Sequence, residues 1–424
     1  MDKYLGQYAE PGTAAVAGLP AAEPWQHVLV IPVYNEATGI LRTLPDAPGR
    51  SLMILVVNQT ESAPGPVAVA NRNFAAEVHA RFESHWSSDP AFGLGLYHDP
   101  ASPRDVLLVD RFSKSLQLPP KGGVGHARKC GADLAAYLYH QQRVQSPWIH
   151  CSDADVVLPG RYFSCTAALG GGAVADTAAL VYPFRHVATG DSAGNGIEEL
   201  TQLYEHSLHY YVAGLCFAGS PYAFHTIGST LAVNANHYAK VRGFPRRQAG
   251  EDFYLLNKLA KVGSIRQLIS GVECEPIEIA ARLSDRVPFG TGAAVGKMIE
   301  LQDPPREFLL FNPGVFELLR TWLESLPDFW RQRSSDVSEV LFHPDQRVLV
   351  DGLQQAGAQA ALQHALKQSS NEIQFSRQMH TWFDAFRTLK LIHYLRDHSL
   401  PSVSYKELKD SDPFNSFNSW VNKT

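Results

Sequence analysis

The stretch that most constrains this chain is Trp148-Ile-His-Cys-Ser-Asp-Ala-Asp-Val-Val-Leu-Pro, an apolar run that enters two aspartates, Asp153 and Asp155, one residue apart. Residues i and i+2 share a face where strand geometry persists, so both carboxylates would then aim at one place. Two carboxylates so placed repel each other. They are tolerated where a cation sits between them, or where one accepts hydrogen bonds from a ligand. A hard divalent metal with oxygen ligands, itself holding a diphosphate, meets that demand. The plain alternative is a strand-end turn, where Asp is favoured for local reasons. The pair alone leaves both open.

The chain around it repeats one plan. His27 to Glu36 reads HVLVIPVYNE, a short apolar run that ends in polar residues, with a helical stretch expected over Ala37–Leu44. SLMILVVNQTES follows, with a strand over 51–57 and a helix over Val67–Phe82. A third strand, Asp105–Val109, ends at Asp110, and Ala179–Phe184 reads as another. Buried strands that alternate with helices predict an α/β class with a largely parallel sheet. Ligands in such sheets sit outside the carboxyl ends of the strands. Asn35, Glu36, Asn58, Asp110, Asp153 and Asp155 all fall there.

Composition narrows the class. With 424 residues, two domains, or one large domain with an appendage, are expected. Hydrophobic residues make up 45% and charged residues 19%, which suits a packed core. A net charge of −5 argues against a nucleic-acid-coating surface. Cys130, Cys151, Cys165, Cys216 and Cys274 are odd in number and never spaced C-x-x-C, which disfavours a zinc site or disulfide framework and fits a reducing cytoplasm. No apolar run reaches the roughly 18 to 20 residues of a membrane span, so no integral membrane segment is expected. Residues 1–25, broken by Gly and Pro, read as an irregular leader. From about Pro304 strands give way to helical patterns, and Phe375, Met379, Trp382, Phe386, Leu389 and Ile392 step as one amphipathic helix. The expected division is 1–25, 26–299 and 300–424.

Three further stretches carry chemistry. Pro119-Pro-Lys-Gly-Gly-Val-Gly-His-Ala-Arg-Lys precedes a helix whose apolar face is Ala127, Cys130, Leu134, Tyr137 and Leu138, leaving Arg128 and Lys129 off that face. Glycines, a helix N-terminus and the cations Lys121, Arg128 and Lys129 suit an anion site, or else a solvated basic turn. Gly250-Glu-Asp-Phe opens a helix, where Glu251 and Asp252 either suit the macrodipole or act as a general base toward a hydroxyl. Arg282 and Arg286 lie beside a glycine-rich loop able to close over an anionic ligand.

Taken together, IPVYNE at Ile31–Glu36, GGVGHARKCGADLA at Gly122–Ala135, CSDADV at Cys151–Val156, GSTLAV at Gly228–Val233 and GFP…GEDFYL at Gly243–Leu255 resemble, in order and spacing, the family 2 glycosyltransferases of the GT-A fold. The resemblance covers roughly residues 26–265. It implies a mixed sheet flanked by helices, a nucleotide-sugar donor and a Mg²⁺ or Mn²⁺ ion. Pro32, Tyr34 and Glu36 would hold the nucleoside. Arg128 and Lys129 would lie near the base or diphosphate, Asp153 near the ribose or sugar, and Asp155 on the metal. Asp252 would be the base of an inverting transfer, with Glu251 the other candidate. His225 or His237 is the candidate third metal ligand, or else an ordinary structural histidine. Where the family commonly has Val-Asp-Asp-Gly-Ser, this chain has Val57-Asn-Gln-Thr-Glu-Ser, so Asn58 or Gln59 would read the base and both UDP- and GDP-sugars stay open. The acceptor is expected to be a small hydrophilic molecule or a saccharide, with Arg282 and Arg286 facing it. The other reading is a non-catalytic nucleotide-sugar-binding or scaffold protein.

Overall fold

The computed structural model describes residues 1–166, 171–188, 196–283, 290–341, 343 and 346–409, with the side chains of 171–173 excepted. The chain divides into two compact units, Met1–Glu198 with Thr226–Ala293, and Glu199–His225 with Ala294–Thr424.

The first unit is built on a nine-stranded mixed sheet. Its elements in chain order are α1 (Asp2–Gln7), β1 (His27–Val33), β2 (Ser51–Asn58), α2 (Gly65–Arg81), β3 (Glu83–Ser87), β4 (Leu94–His98), β5 (Arg104–Arg111), α3 (Val124–His140), β6 (Trp148–Cys151), β7 (Val156–Val157), α4 (Gly171–Asp176), β8 (Thr177–Val181) and β9 (Phe184–Ala188). After the excursion into the second unit come β10 (Leu231–Asn234), α5 (Ala235–Lys240), α6 (Glu251–Leu259), β11 (Ser264–Gln267) and β12 (Ile277–Ala281). The sheet order is β11-β8-β10-β6-β1-β2-β5-β4-β3.

The four central strands β6, β1, β2 and β5 are parallel, which fixes where the polar strand ends meet. Val30 pairs with Ile54 on one side and Cys151 on the other, and Asn58 pairs with Arg111. The segments after β1 and β6 therefore leave the same edge of the sheet side by side. β10 runs antiparallel to β6, with Leu231 opposite Cys151, so its starting turn sits on that edge too. A smaller sheet, β7-β12-β9, pairs Val156 with Ile279 and brings the residue after β12, Arg282, toward Asp155. Every residue of β2 is buried, as a strand covered on both faces requires.

Several expectations change here. The expected helix over Ala37–Leu44 is a 3₁₀ turn, Thr38–Arg42, in a segment ended by Pro45. The expected strand Ala179–Phe184 is two strands, β8 and β9. The hairpin β3–β4 gave no signal, because β3 is an edge strand of mostly exposed polar residues, Glu-Ser-His-Trp-Ser. The leader read as irregular contains α1 and a 3₁₀ turn and is packed, with Tyr4 3% and Glu10 8% exposed. Six-residue elements are too short for a periodic signal. Cys165 and Cys274 form a disulfide across 109 positions. A separation that long leaves no spacing motif, and cysteine usage no longer argues for a reducing compartment.

In the second unit, helix Gly314–Gln332 buries Phe316, Leu319, Trp322, Leu326 and Phe329 against helices Arg347–Gln355, Glu372–Trp382 and Ala385–His398. The single helix expected through Phe375 and Ile392 is two helices. The break falls at Asp384, whose carboxylate caps the second by accepting from the Arg387 N–H at 3.3 Å. Phe383 and Leu391 are buried there, while Phe386 and Leu389 are half-buried. Among the described residues no helix is long and apolar enough to cross a membrane.

α3 lies against β1 and β2 so closely that a Cβ at Gly131 would stand 2.4 Å from Val30 Cγ1 and 3.1 Å from Val56 Cγ2. Both valines are fully buried and stiff at χ1. Gly131→Ala is expected to lower unfolding free energy by about 1–3 kcal/mol, the usual scale for overpacking. Urea titration of the two proteins measures it, and an unchanged midpoint would show that α3 is free to move off the sheet.

Candidate active site

At the carboxyl edge the structure gathers acids around two arginines. Arg128, from α3, is 2% exposed. Its Nη2 donates to Asp153 Oδ1 at 2.5 Å, its Nε to Glu251 Oε1 at 2.8 Å and its Nη1 to the Ser152 carbonyl at 3.1 Å. The space it fills exists because residue 228 is glycine: a Cβ there would come within 2.6 Å of Nη2. Ser152 Oγ donates to the Ser229 carbonyl at 3.1 Å, fastening the Asp-x-Asp segment to the turn before β10. Arg282 makes a second bridge, donating from Nη2 to Glu36 Oε1 at 2.7 Å and Asp155 Oδ2 at 2.5 Å, and from Nη1 to Glu36 Oε2 at 3.4 Å. Its Nε is buried and has no hydrogen-bond partner among the described residues.

Burial raises the Asp153 carboxyl above its ordinary range, and Asp155 and Glu251 push the same way against Arg128. Asp252, half-buried in the first turn of α6, is pushed up to about 7, first by burial and then by the adjacent Glu251 carboxylate. One of its oxygens, Oδ1, accepts from the Phe253 N–H at 2.7 Å. A carboxyl with that value exchanges its proton near neutrality.

The three cations assigned to an anion site go three ways. Lys121 is exposed. Arg128 is turned inward, as described. Lys129 donates to Tyr4 Oη at 2.8 Å and Asp133 Oδ2 at 3.0 Å, anchoring α1 to α3. Although expected off the packed face, Arg128 and Lys129 are both buried. The glycines beside them are explained by close packing: a Cβ on Gly123 would lie 2.6 Å from Gln248 Cα, and one on Gly125 would lie 2.7 Å from the Pro245 carbonyl oxygen.

Of the residues expected at the nucleoside, Pro32 is buried within β1, Tyr34 is half-buried and Glu36 binds Arg282. The Asn58 Nδ2 donates to the carbonyls of Val33 and Val56 at 2.9 and 3.1 Å. Gln59 donates to the Phe112 carbonyl at 3.0 Å and accepts from Asn71 at 3.1 Å. These amides hold the loops together. Asn71 itself was missed. Fully buried on α2, it accepts from the Asn35 N–H at 3.2 Å and donates to the Asn58 carbonyl at 2.9 Å, holding Asn35 at a left-handed φ of 53°. The available signal was an amide inside the apolar stripe Val67, Phe74, Val78. Asp110 serves a turn, accepting from the Phe112 and Ser113 N–H groups.

Arg286 lies outside the described residues. His237 packs on α5 near Gly263, and His225 belongs to the second unit, edge-on to His209. Another triad, Glu10, His126 and Cys130, brings its potential ligand atoms within 4.8 Å of one another. It suits a metal poorly. Arg246 donates to both Glu10 oxygens at 2.6 and 3.1 Å, and burial pushes the Cys130 thiol up to about 12. A cleft of about 230 Å³ lined by Trp25, Arg50, His98, Asp105 and Arg143 includes none of the edge residues.

No family model and no curated protein matches this sequence. Among solved structures the chain is similar to the mannosyltransferase PcManGT from Pyrobaculum calidifontis in complex with GDP-mannose and Mn²⁺. The two are 13% identical over 99% of this chain and 93% of that one, with a TM-score of 0.35. A likeness that remote assigns neither fold family nor activity.

The Asp252 value predicts an inverse dependence of stability on pH. The folded state holds this proton up to about pH 7, whereas the ordinary carboxyl releases it near 3.8. Between those values the native state binds more protons than the unfolded one, so this group's contribution falls as pH rises. Asp252→Asn is expected to raise the melting temperature most at pH 7 and above and not at pH 4, measured by calorimetry across that window. An equal shift at every pH would mean that Asp252 titrates normally.

Proposed function

We propose that this chain is a metal-dependent glycosyltransferase of GT-A type, resembling family 2. It would move a sugar from a UDP- or GDP-sugar to a hydroxyl of a small hydrophilic or saccharide acceptor, with inversion. The observation that carries the reading is the meeting of Glu36, Asp153, Asp155, Glu251 and Asp252 with two arginines at the carboxyl edge of the parallel strands, where α/β sheets take ligands.

The residues fit a hard divalent cation. Asp155 and Glu36 present carboxylate oxygens to a position already held by a positive group, and Asp153 lies two residues away. Mg²⁺ or Mn²⁺, when bound, neutralises charge developing on a diphosphate leaving group. The chain's own groups do the rest. Arg128 fixes Asp153 and Glu251, so both carboxylates are preorganised. The buried Nε of Arg282, which has no hydrogen-bond partner among the described residues, is a donor for an anionic ligand. Asp252 accepts the proton of the acceptor hydroxyl as that oxygen attacks the anomeric carbon from the face opposite the leaving group.

The test is a panel of UDP-, GDP-, ADP- and dTDP-sugars with and without Mn²⁺, read by thermal shift and by release of nucleoside diphosphate. One nucleotide is expected to stabilise the protein only with metal, and Asp155→Asn to abolish that shift. With an acceptor in hand, kcat/KM should rise with pH through about 7 as Asp252 loses its proton. Asp252→Asn should cut turnover by roughly two to four decades at nearly intact donor binding. A metal-dependent shift without product release would favour the binding-protein reading.

A further inference from the structure

Arg282 was expected to face an acceptor, yet its guanidinium lies between Glu36 and Asp155. We infer that Arg282 and a divalent cation are alternative occupants of that gap, so that Arg282 is a donor-side residue which yields the two carboxylates when metal arrives. This rests on the transferase reading only in its choice of metal.

Nη2 donates to both acids, at 2.7 and 2.5 Å, and so takes one oxygen from each. Mg²⁺ and Mn²⁺ recruit the same kind of oxygen at about 2.1 Å. A guanidinium and a dication sharing one carboxylate repel in a half-buried setting. Asp155 immediately precedes β7, and Arg282 immediately follows β12, the two strands being joined by the Val156–Ile279 pair. The backbone of the small sheet can therefore stay paired while the side chain beyond its end swings. The buried Nε with no described partner gives the displaced guanidinium a donor to offer an anion that enters with the metal. Without metal the same side chain offsets the repulsion between the two acids.

The decisive measurement is Mn²⁺ affinity of the nucleotide-free protein, by calorimetry or by the electron-spin signal of free Mn²⁺. Arg282→Met is expected to bind Mn²⁺ at least about tenfold more tightly than wild type, and Arg282→Lys to stay near wild type. Arg185→Met, which removes a cation from β9 of the same small sheet, reports the long-range part of the effect and should change little. Asp155→Asn should erase the gain. Equal affinity in wild type and Arg282→Met, or equal gains from Arg282→Met and Arg185→Met, would overturn the exchange. A second readout needs no variant: Mn²⁺ should accelerate phenylglyoxal modification of Arg282 in the wild-type protein, mapped by mass spectrometry, and an unchanged or slower rate counts against it. Tighter Mn²⁺ binding in Arg282→Met with no sugar transfer would keep this inference and remove the transferase reading. Metal-dependent transfer with unaltered affinity would do the reverse.

Discussion

Arg128 is almost fully enclosed, and its Nε, Nη1 and Nη2 donate to Glu251, the Ser152 carbonyl and Asp153. A charge that deep is tolerated only while its partners remain, because water is not there to replace them. Three parts of the chain, far apart in sequence, are thereby fixed to one atom group: α3, the loop after β6 and the start of α6. The glycines follow from the same demand. Gly228 gives the guanidinium room, and Gly123 and Gly125 let the 245–251 segment lie against the start of α3, so that Glu251 reaches Arg128. The candidate site is thus positioned by a buried ion network rather than by a loop closing on itself.

That network explains which parts of the molecule were legible in the sequence. The apolar runs of β1, β2, β5 and β6 declared themselves because strands buried on both faces need continuous apolar residues. Their common polar ends predicted the edge where the acids gather. The glycine-rich stretch suits an anion cradle or a solvated basic turn by sequence, because glycine followed by cations at a helix start looks the same whether the nearby space holds phosphate, water or backbone. Only the fold shows Gln248 and Pro245 in that space. Helical periodicity puts Lys129 and Arg128 outside the packed face, because it registers apolar residues and says nothing of ions buried with their partners. Asn58 and Gln59 looked like base readers by position, yet their amides hold backbone.

Long-range pairing was the other invisible layer. The Cys165–Cys274 bond joins the segment after the Asp-x-Asp strand to the one before β12, and no local pattern announces it. β3 and β4 form an edge hairpin where β3 has no buried face to impose alternation. Asn71 was detectable in principle, as an amide among apolar residues at helical spacing. Its meaning, a clamp on the strained Asn35 loop, needed the register of β1 against β2.

The two arginines divide the work. Each nitrogen of the Arg128 guanidinium has a partner among the described residues, so it holds the acids' positions whether or not a ligand is present. Arg282 is half-exposed, keeps a buried Nε without a described partner and holds its carboxylates from the open end of a two-residue strand pair. Asp252 lies between these behaviours. Raised by burial and by Glu251, it carries a destabilising charge above about pH 7, the state in which it can accept a proton. Local stability and chemical readiness oppose each other at that residue. An amide at 252 would relieve the repulsion from Glu251 at no cost in volume, and would leave no carboxylate there to accept a proton.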